Sequence, residues 1–74
     1  MKKYRVRIMY RLDDSIHSET LCDTIEEVEE VLNDFFYTHG ELNLRNIKYY
    51  YSLAKLTAGG ETYRDVKRGG KYGA

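Results

Sequence analysis

The residues that could carry out catalysis or bind a metal are few in this chain of 74 residues. It has two histidines, His17 and His39, and one cysteine, Cys22. A nucleophilic site needs a base within hydrogen-bonding reach of the nucleophile, and a zinc site needs ligands at paired spacings. Cys22, His17 and Asp23 lack that spacing, and cysteine commonly serves as a small buried apolar side chain. We therefore expect no enzyme activity, no metal and no cofactor.

A glycine-rich segment, GGKYG at residues 69–73, resembles a phosphate-binding loop in composition alone. Such a loop follows a strand and opens a helix, whose N-terminus binds the anion. No helical pattern follows this segment. We expect residues 1–68 to form one compact domain and residues 69–74 to be a flexible tail.

The charges of the chain are unevenly distributed although the formal net charge is zero. Seven acidic residues and no lysine or arginine lie between Asp23 and Glu41, while the rest of the chain has twelve basic and five acidic residues. The first segment therefore carries −7 and the remainder +7. An acidic surface of this kind can serve solubility alone. Two functional interpretations stand beside that one.

The first interpretation is binding to a protein partner through a row of carboxylates. Spacings of three and four residues place the row on one side of a helix, where its members repel one another by a few tenths of a kcal/mol per pair, which is about the size of a weak ion pair. The row would face a basic groove on the partner and compete there with nucleic-acid phosphates. Small viral and mobile-element inhibitors often act in this way, which is an analogy of size only. The row consists of Glu26, Glu27, Glu30 and Asp34.

The second interpretation is a nucleic-acid-binding module that uses a basic, tyrosine-bearing face of a sheet. Single-strand binders combine phosphate-binding cations with aromatic rings, and each stacked base contributes about 1–3 kcal/mol. No aromatic-rich RNA-binding motif is present. The same face could instead form a homodimer through Tyr50, Leu56 and Tyr63 with Ala54 between them. The candidate residues for this face are Arg5, Arg7, Arg11, Lys48, Tyr50 and Tyr63.

One amphipathic helix is predicted between Thr24 and Gly40. Thr24 and Glu27 form a capping-box pattern, and Gly40 suits a helix C-terminus, where His39 would interact favourably with the dipole. The apolar residues recur at helical spacing, which predicts that one face packs on a sheet and the opposite face is acidic. Those residues are Ile25, Val28, Val31, Leu32, Phe35 and Phe36.

Four strands are predicted around this helix. Residues 3–12 alternate with period two, placing Val6, Ile8 and Leu12 toward the core, and residues 16–22 return after a turn at residues 13–15. The register of the second strand leaves open whether Leu21 or Cys22 faces the core.

Residues 45–57 and 61–68 form a second hairpin around a two-residue turn at Gly59 and Gly60. That turn places Leu53 opposite Val66 and Leu56 opposite Tyr63. The chain is thus expected to be an α+β domain of order β-β-α-β-β, with a four-stranded, mostly antiparallel sheet and one helix packed on one face. The order of the strands in the sheet stays open.

The three consecutive tyrosines at residues 49–51 are divided by the period of the strand. Tyr49 and Tyr51 are predicted to face the core beneath the helix, and Tyr50 to face the other side. A cytoplasmic protein is expected, because one cysteine permits no intramolecular disulfide and the sequence has neither a signal-peptide pattern nor a membrane span.

Overall fold

The architecture is a four-stranded antiparallel sheet with one helix packed against it, as predicted. The structure, a computed structural model, describes residues 2–40, 48–60 and 62–69, with backbone only at residues 39 and 40. Three parts of the predictions lie outside the described residues. They are the predicted start of the third strand, which includes Ile47, residues 70–74 of the predicted tail, and the side chain of His39.

Two hairpins make up the sheet. The first contains β1 (Tyr4–Tyr10) and β2 (Ile16–Cys22), and the second contains β3 (Tyr49–Leu56) and β4 (Tyr63–Gly69). The strand order is β2-β1-β3-β4, so the hairpins are joined through their first strands, and all three pairings are antiparallel. Helix α1 (Ile25–Phe35) connects the hairpins and packs against β1 and β2.

The turn between β1 and β2 is held by short polar side chains, as their sequence predicts. The backbone N–H of Ser15 donates to Asp13 Oδ1 over 3.0 Å, and Asp14 adopts a left-handed φ of 59°. Because the turn starts immediately after Tyr10, the period-two pattern stops there. Leu12 is 97% exposed, so its predicted place in the core is wrong.

The register of β2 places Cys22 toward the core and Leu21 toward the solvent. Cys22 lies opposite Tyr4, on the side of the sheet that α1 covers. An irregularity in the pairing after Ile8 shifts the register, so that Met9 lies opposite Ile16. Of the two registers that the sequence left open, the structure therefore has the one in which Cys22 faces the core.

The predicted capping box forms at the start of α1. The N–H of Glu27 donates to Thr24 Oγ1 over 3.2 Å, and Glu27 Oε2 in turn accepts from the N–H of Asp23 over 3.0 Å. The first bond satisfies a backbone donor that the helix itself leaves free. The second is made by the residue before the N-cap Thr24, whereas the N–H of the N-cap itself is the donor in a standard capping box. After Phe35 the chain continues as a wider π-helical turn, Phe36–Gly40, which reaches the predicted C-terminal glycine.

The second hairpin differs from its prediction by one residue. Leu56 lies opposite Tyr63, as predicted, but Leu53 lies opposite Lys67 and not Val66. A bulge at this point makes Val66 the extra residue of β4 and leaves it exposed. The turn is closed by the N–H of Gly60, which donates to the carbonyl of Thr57 over 2.8 Å. Its central residues are therefore Ala58 and Gly59, and not Gly59 and Gly60 as predicted.

The core lies between α1 and the sheet. The tyrosines divide as predicted, because Tyr49 and Tyr51 are 7% and 2% exposed on the helix side of β3 while Tyr50 lies on the other side. The core is formed by Val6, Ile8, Cys22, Val28, Leu32, Phe36, Tyr49, Tyr51 and Leu53. Within the described ranges, no helix is long and apolar enough to cross a membrane.

Candidate functional site

The acidic row on α1, defined as Glu26, Glu27, Glu30 and Asp34, is exposed to solvent. Glu27 differs from the other three, because its carboxylate caps the helix by binding the N–H of Asp23. Within the described part of the chain, no lysine or arginine forms an ion pair with Glu26, Glu30 or Asp34. Three carboxylates on successive turns are therefore available for contact.

A cation does neutralise the acidic segment at the start of the helix. Lys2 Nζ lies 2.9 Å from Asp23 Oδ2, and this hydrogen bond and the charge of the carboxylate raise the pKa of Lys2. Because Asp23 precedes α1, the ion pair does not extend to Glu30 or Asp34 on the later turns.

The arginines predicted for a nucleic-acid face do lie together on the outer face, which is the face of the sheet opposite α1. Arg7 Nε lies 2.8 Å from Glu19 Oε2 on β2. Asp65 on β4 lies 3.9 Å from Arg5 and 3.1 Å from Arg68. Acidic residues of the neighbouring strands thus offset much of the positive charge that β1 contributes to this face.

The two tyrosines predicted for that face are also engaged within the chain. The guanidinium of Arg5 lies 5.2 Å from the ring centroid of Tyr63, and that of Arg11 lies 5.5 Å from Tyr50. Tyr63 Oη donates to the carbonyl of Lys2 over 2.6 Å. One face of each ring is therefore occupied by a cation, which reduces the surface on which a base could stack.

Tyr50 also makes a hydrogen bond that spans the sheet. Its hydroxyl donates to Asp14 Oδ1 over 2.7 Å, which joins β3 to the turn of the first hairpin. The bond to the carboxylate raises the pKa of Tyr50, because it stabilises the protonated phenol and the nearby negative charge disfavours the phenolate.

The centre of the outer face is covered by side chains of the sheet itself. Arg5 lies opposite Ala54 and Arg7 opposite Ser52, and both small residues are buried, with Ala54 only 1% exposed. Long arginine stems cover small neighbours in this way, and the Nε of Arg5 is itself buried, with no hydrogen-bond partner among the described residues. The expected exposure of Ala54 in a dimer patch is therefore wrong.

Lys48 does not join the outer face. Its ammonium lies 5.6 Å from the ring centroid of Tyr49, which belongs to the helix side of the sheet. Its carbonyl accepts a hydrogen bond from the N–H of Arg11 over 3.0 Å. The predicted grouping of Lys48 with Arg5 and Arg7 is therefore not formed.

A second basic surface, which the sequence analysis did not single out, lies on the helix side of β3 and β4. This basic strip consists of Lys55, Arg64 and Lys67, all exposed. Lys55 lies directly opposite Arg64, and Lys67 lies opposite the core residue Leu53. Counting by two from Leu53 would have identified Lys55. Lys67 required knowledge of the bulge, which moves it into the position predicted for Val66.

The residues considered for catalysis are separated. His17 belongs to an aromatic cluster with Tyr10, Phe35 and Tyr49, whose ring centroids lie 5.3 to 5.4 Å from its own. Cys22 lies at the opposite end of β2, and burial raises the pKa of its thiol, which lowers its thiolate fraction. In the part of the chain that the structure describes, no three histidine, cysteine or acidic side chains group as metal ligands.

The fold and its surfaces define a small α+β domain with an acidic helix and two basic surfaces on the sheet. The arginines of the outer face form ion pairs within the chain. Comparisons of the chain with protein-family models, with curated proteins and with solved structures found no match. Its function is therefore inferred from its own surfaces.

Proposed function

We propose that this protein is a non-enzymatic binding protein that acts through a protein partner, to which it presents the acidic row of α1. The observation that carries the proposal is that Glu26, Glu30 and Asp34 are exposed and, among the described residues, have no basic partner. Neighbouring carboxylates four residues apart repel each other. Such a row lowers the stability of the helix, and a basic partner would reverse that cost on binding.

The geometry of the row defines the partner that it fits. Residues four apart on a helix rise by about 6 Å, so three carboxylates form a nearly straight line of negative charge about 12 Å long. A groove lined with lysine and arginine matches that line, and complementary charge mainly accelerates association and selects the partner. If the groove normally holds nucleic acid, the protein would act as an inhibitor by occupying it, as viral and mobile-element inhibitors do.

The test removes the charge without changing the shape of the helix. The variant Glu26→Gln, Glu30→Gln, Asp34→Asn is neutral along the row, and the matched control Glu26→Asp, Glu30→Asp, Asp34→Glu keeps all three charges. Glu27 is left intact because it caps the helix. Partners captured from host lysate are compared by quantitative mass spectrometry.

A partner that is retained by the wild-type protein and the control, and lost by the neutral variant, supports the proposal. Equal capture by all three proteins would show that the row is not the contact surface. The neutral variant loses the repulsion at two pairs four residues apart and also the favourable charge of Glu26 in the first turn, so its stability should change little. Urea unfolding of the three proteins shows that any loss of binding is not caused by unfolding.

Nucleic-acid binding by the outer face is the second candidate, favoured by the position of Tyr50 and Tyr63 on the same face as Arg5 and Arg7. It has less support because Glu19 and Asp65 neutralise those arginines. We expect a labelled single-stranded oligonucleotide to show no binding at low salt. Binding that weakens steeply with salt and disappears in Arg5→Glu, Arg7→Glu would favour this function instead.

A further inference from the structure

The helix covers only part of its side of the sheet. α1 packs against β1 and β2, while β4 is exposed along nearly its whole length. On this same side lies the basic strip, with Lys55 and Arg64 on directly opposite positions of β3 and β4. The molecule therefore presents a ridge, α1, beside the exposed strand β4, while Tyr49, Tyr51 and Leu53 on the helix side of β3 are buried in the core.

The basic strip is unfavourable in the isolated molecule. Like charges directly opposite each other on neighbouring strands are destabilising. Within the described residues, neither Lys55 nor Arg64 forms an ion pair. The same side of the molecule thus carries two self-repelling surfaces of opposite sign, namely the acidic row and the basic strip.

We propose that the partner of this surface is a second copy of the chain, docked with its helix side facing the first. A two-fold axis between the copies would place the α1 of each copy beside the exposed strand β4 of the other, over Lys55 and Arg64. The acidic row points away from its own sheet and would meet the second copy's basic strip, and the reverse contact would form by symmetry. This inference rests on the proposed function, because it assigns a partner to the same acidic row.

The positions of the two surfaces determine the kind of assembly. Because both lie on one side of the molecule, the contact is isologous and closes after two copies. Surfaces on opposite sides would have produced open-ended filaments instead. A helix with its side chains has a diameter of about 10–12 Å, so two helices side by side can form one layer that holds the two sheets apart. The carboxylates of the acidic row then face Lys55 and Arg64 at each of the two equivalent contacts.

Sedimentation velocity of the whole chain tests the assembly. At low ionic strength we expect a dimer, and at high ionic strength a monomer, because raising salt from about 0.01 M to about 1 M shortens the Debye length from about 30 Å to about 3 Å. A wild-type protein that stays monomeric at low salt at every concentration would overturn the proposal.

A charge exchange tests the pairing of the two surfaces. One variant, Glu26→Lys, Glu30→Lys, reverses two charges of the acidic row, and the other, Lys55→Glu, Arg64→Glu, reverses two charges of the basic strip. Each alone should dimerise at least about a hundredfold more weakly than the wild type, since reversal places like charges together at both contacts. A mixture of the two should form a one-to-one heterodimer, because each contact again joins opposite charges. The control Lys55→Arg, Arg64→Lys keeps the charge and should dimerise like the wild type.

Circular dichroism establishes that each variant is folded before it is mixed. Failure of the folded variants to form a heterodimer would overturn the proposal, and so would dimers that persist in each variant alone, since these would point to the outer face. The proposed function is tested separately by lysate capture. A monomeric protein whose partner depends on the acidic row would reject the second copy as partner and leave the proposed function intact.

Discussion

Tyr50 shows how a side chain that looks available for binding can be used by the fold. It is the one member of the tyrosine triplet that faces away from the core, and from the sequence it was the candidate for stacking on a base. Its hydroxyl instead donates to Asp14, and its ring lies beneath the guanidinium of Arg11. Asp14 has a positive φ, which few residues other than glycine adopt readily. The contact therefore stabilises a strained turn from a neighbouring strand.

The hydrogen bond of Tyr50 predicts a dependence of stability on pH. Its pKa is raised in the folded state, so the folded protein holds this proton more tightly than the unfolded chain. The stabilisation is complete below the ordinary tyrosine pKa of about 10 and is lost as the pH rises through the higher folded value. Compared with Tyr50→Phe, the wild-type protein should be more stable near neutral pH, and this difference should shrink in alkali.

Urea unfolding at a series of pH values measures this difference. Tyr37→Phe is the control, because the Tyr37 side chain is exposed and its hydroxyl makes no hydrogen bond within the described residues. Its free energy of unfolding near neutral pH should be close to that of the wild type. A difference for Tyr50→Phe that does not change with pH would mean that the bond to Asp14 does not stabilise the folded protein.

At the scale of the elements, the first turn of α1 is the part for which sequence and structure agree in most detail. Thr24 and Glu27 were assigned as a capping box. The bond from the N–H of Glu27 to Thr24 forms, whereas the Glu27 carboxylate accepts from the N–H of Asp23, one residue before the N-cap. The side chains of the acidic row project from this helix, so the cap also fixes where the proposed contact surface begins. The contribution of this cap to stability can be measured with a single substitution.

Thr24→Ala should lower the free energy of unfolding by about 1 kcal/mol, within a range of about 0.5–2 kcal/mol, because the N–H of Glu27 loses its acceptor. Asn33→Ala is the matched control, since Asn33 is exposed in the same helix and alanine has the higher helix propensity. Urea denaturation should show a lower midpoint for the first variant and no loss for the second. Equal midpoints for Thr24→Ala and the wild type would show that the cap contributes nothing.

Elements could be predicted from the sequence wherever the period and the end signals agree. The helix, the four strands and the sides of Tyr49 and Tyr51 follow from spacing alone. The bulge at Val66 does not, because one inserted residue leaves the alternation of β4 almost unchanged and yet exchanges Val66 for Lys67 opposite Leu53. The strand order is likewise not contained in local patterns.

That order decides how the candidate site must be interpreted. The arginines of β1 were predicted to share a face, and they do. Their ion pairs with Glu19 and Asp65 exist because β2 flanks β1 on one side and β4 lies within reach beyond β3 on the other. In the sequence, Glu19 and Asp65 could only be counted toward the overall charge. In the fold, each of them neutralises a particular arginine of β1. Lys55 and Arg64 of the basic strip, by contrast, form no ion pair within the described residues.

At the scale of the whole molecule, the net charge is zero although the surface carries an acidic row and a basic strip of opposite charge. If they meet between copies, folding and association are linked, and the thermal midpoint must rise with protein concentration. We expect this rise at low salt and none at high salt, where the contact is screened. Differential scanning calorimetry over a wide range of concentrations measures it. Lys55→Glu, Arg64→Glu should show a midpoint independent of concentration, and the same rise in that variant would contradict the proposed contact.

The aromatic cluster around His17 has a consequence for spectroscopy. Phe35 contributes from the last turn of α1, and Tyr10, His17 and Tyr49 contribute from three strands. The rings of Phe35 and Tyr49 stand at 90° with centroids 5.1 Å apart, so edge protons of one ring lie above the face of the next. Such protons are shielded by ring currents, and their nuclear magnetic resonance signals should move upfield. Because the chain has no tryptophan, these shifted signals are a native reporter of whether the helix is docked on its sheet.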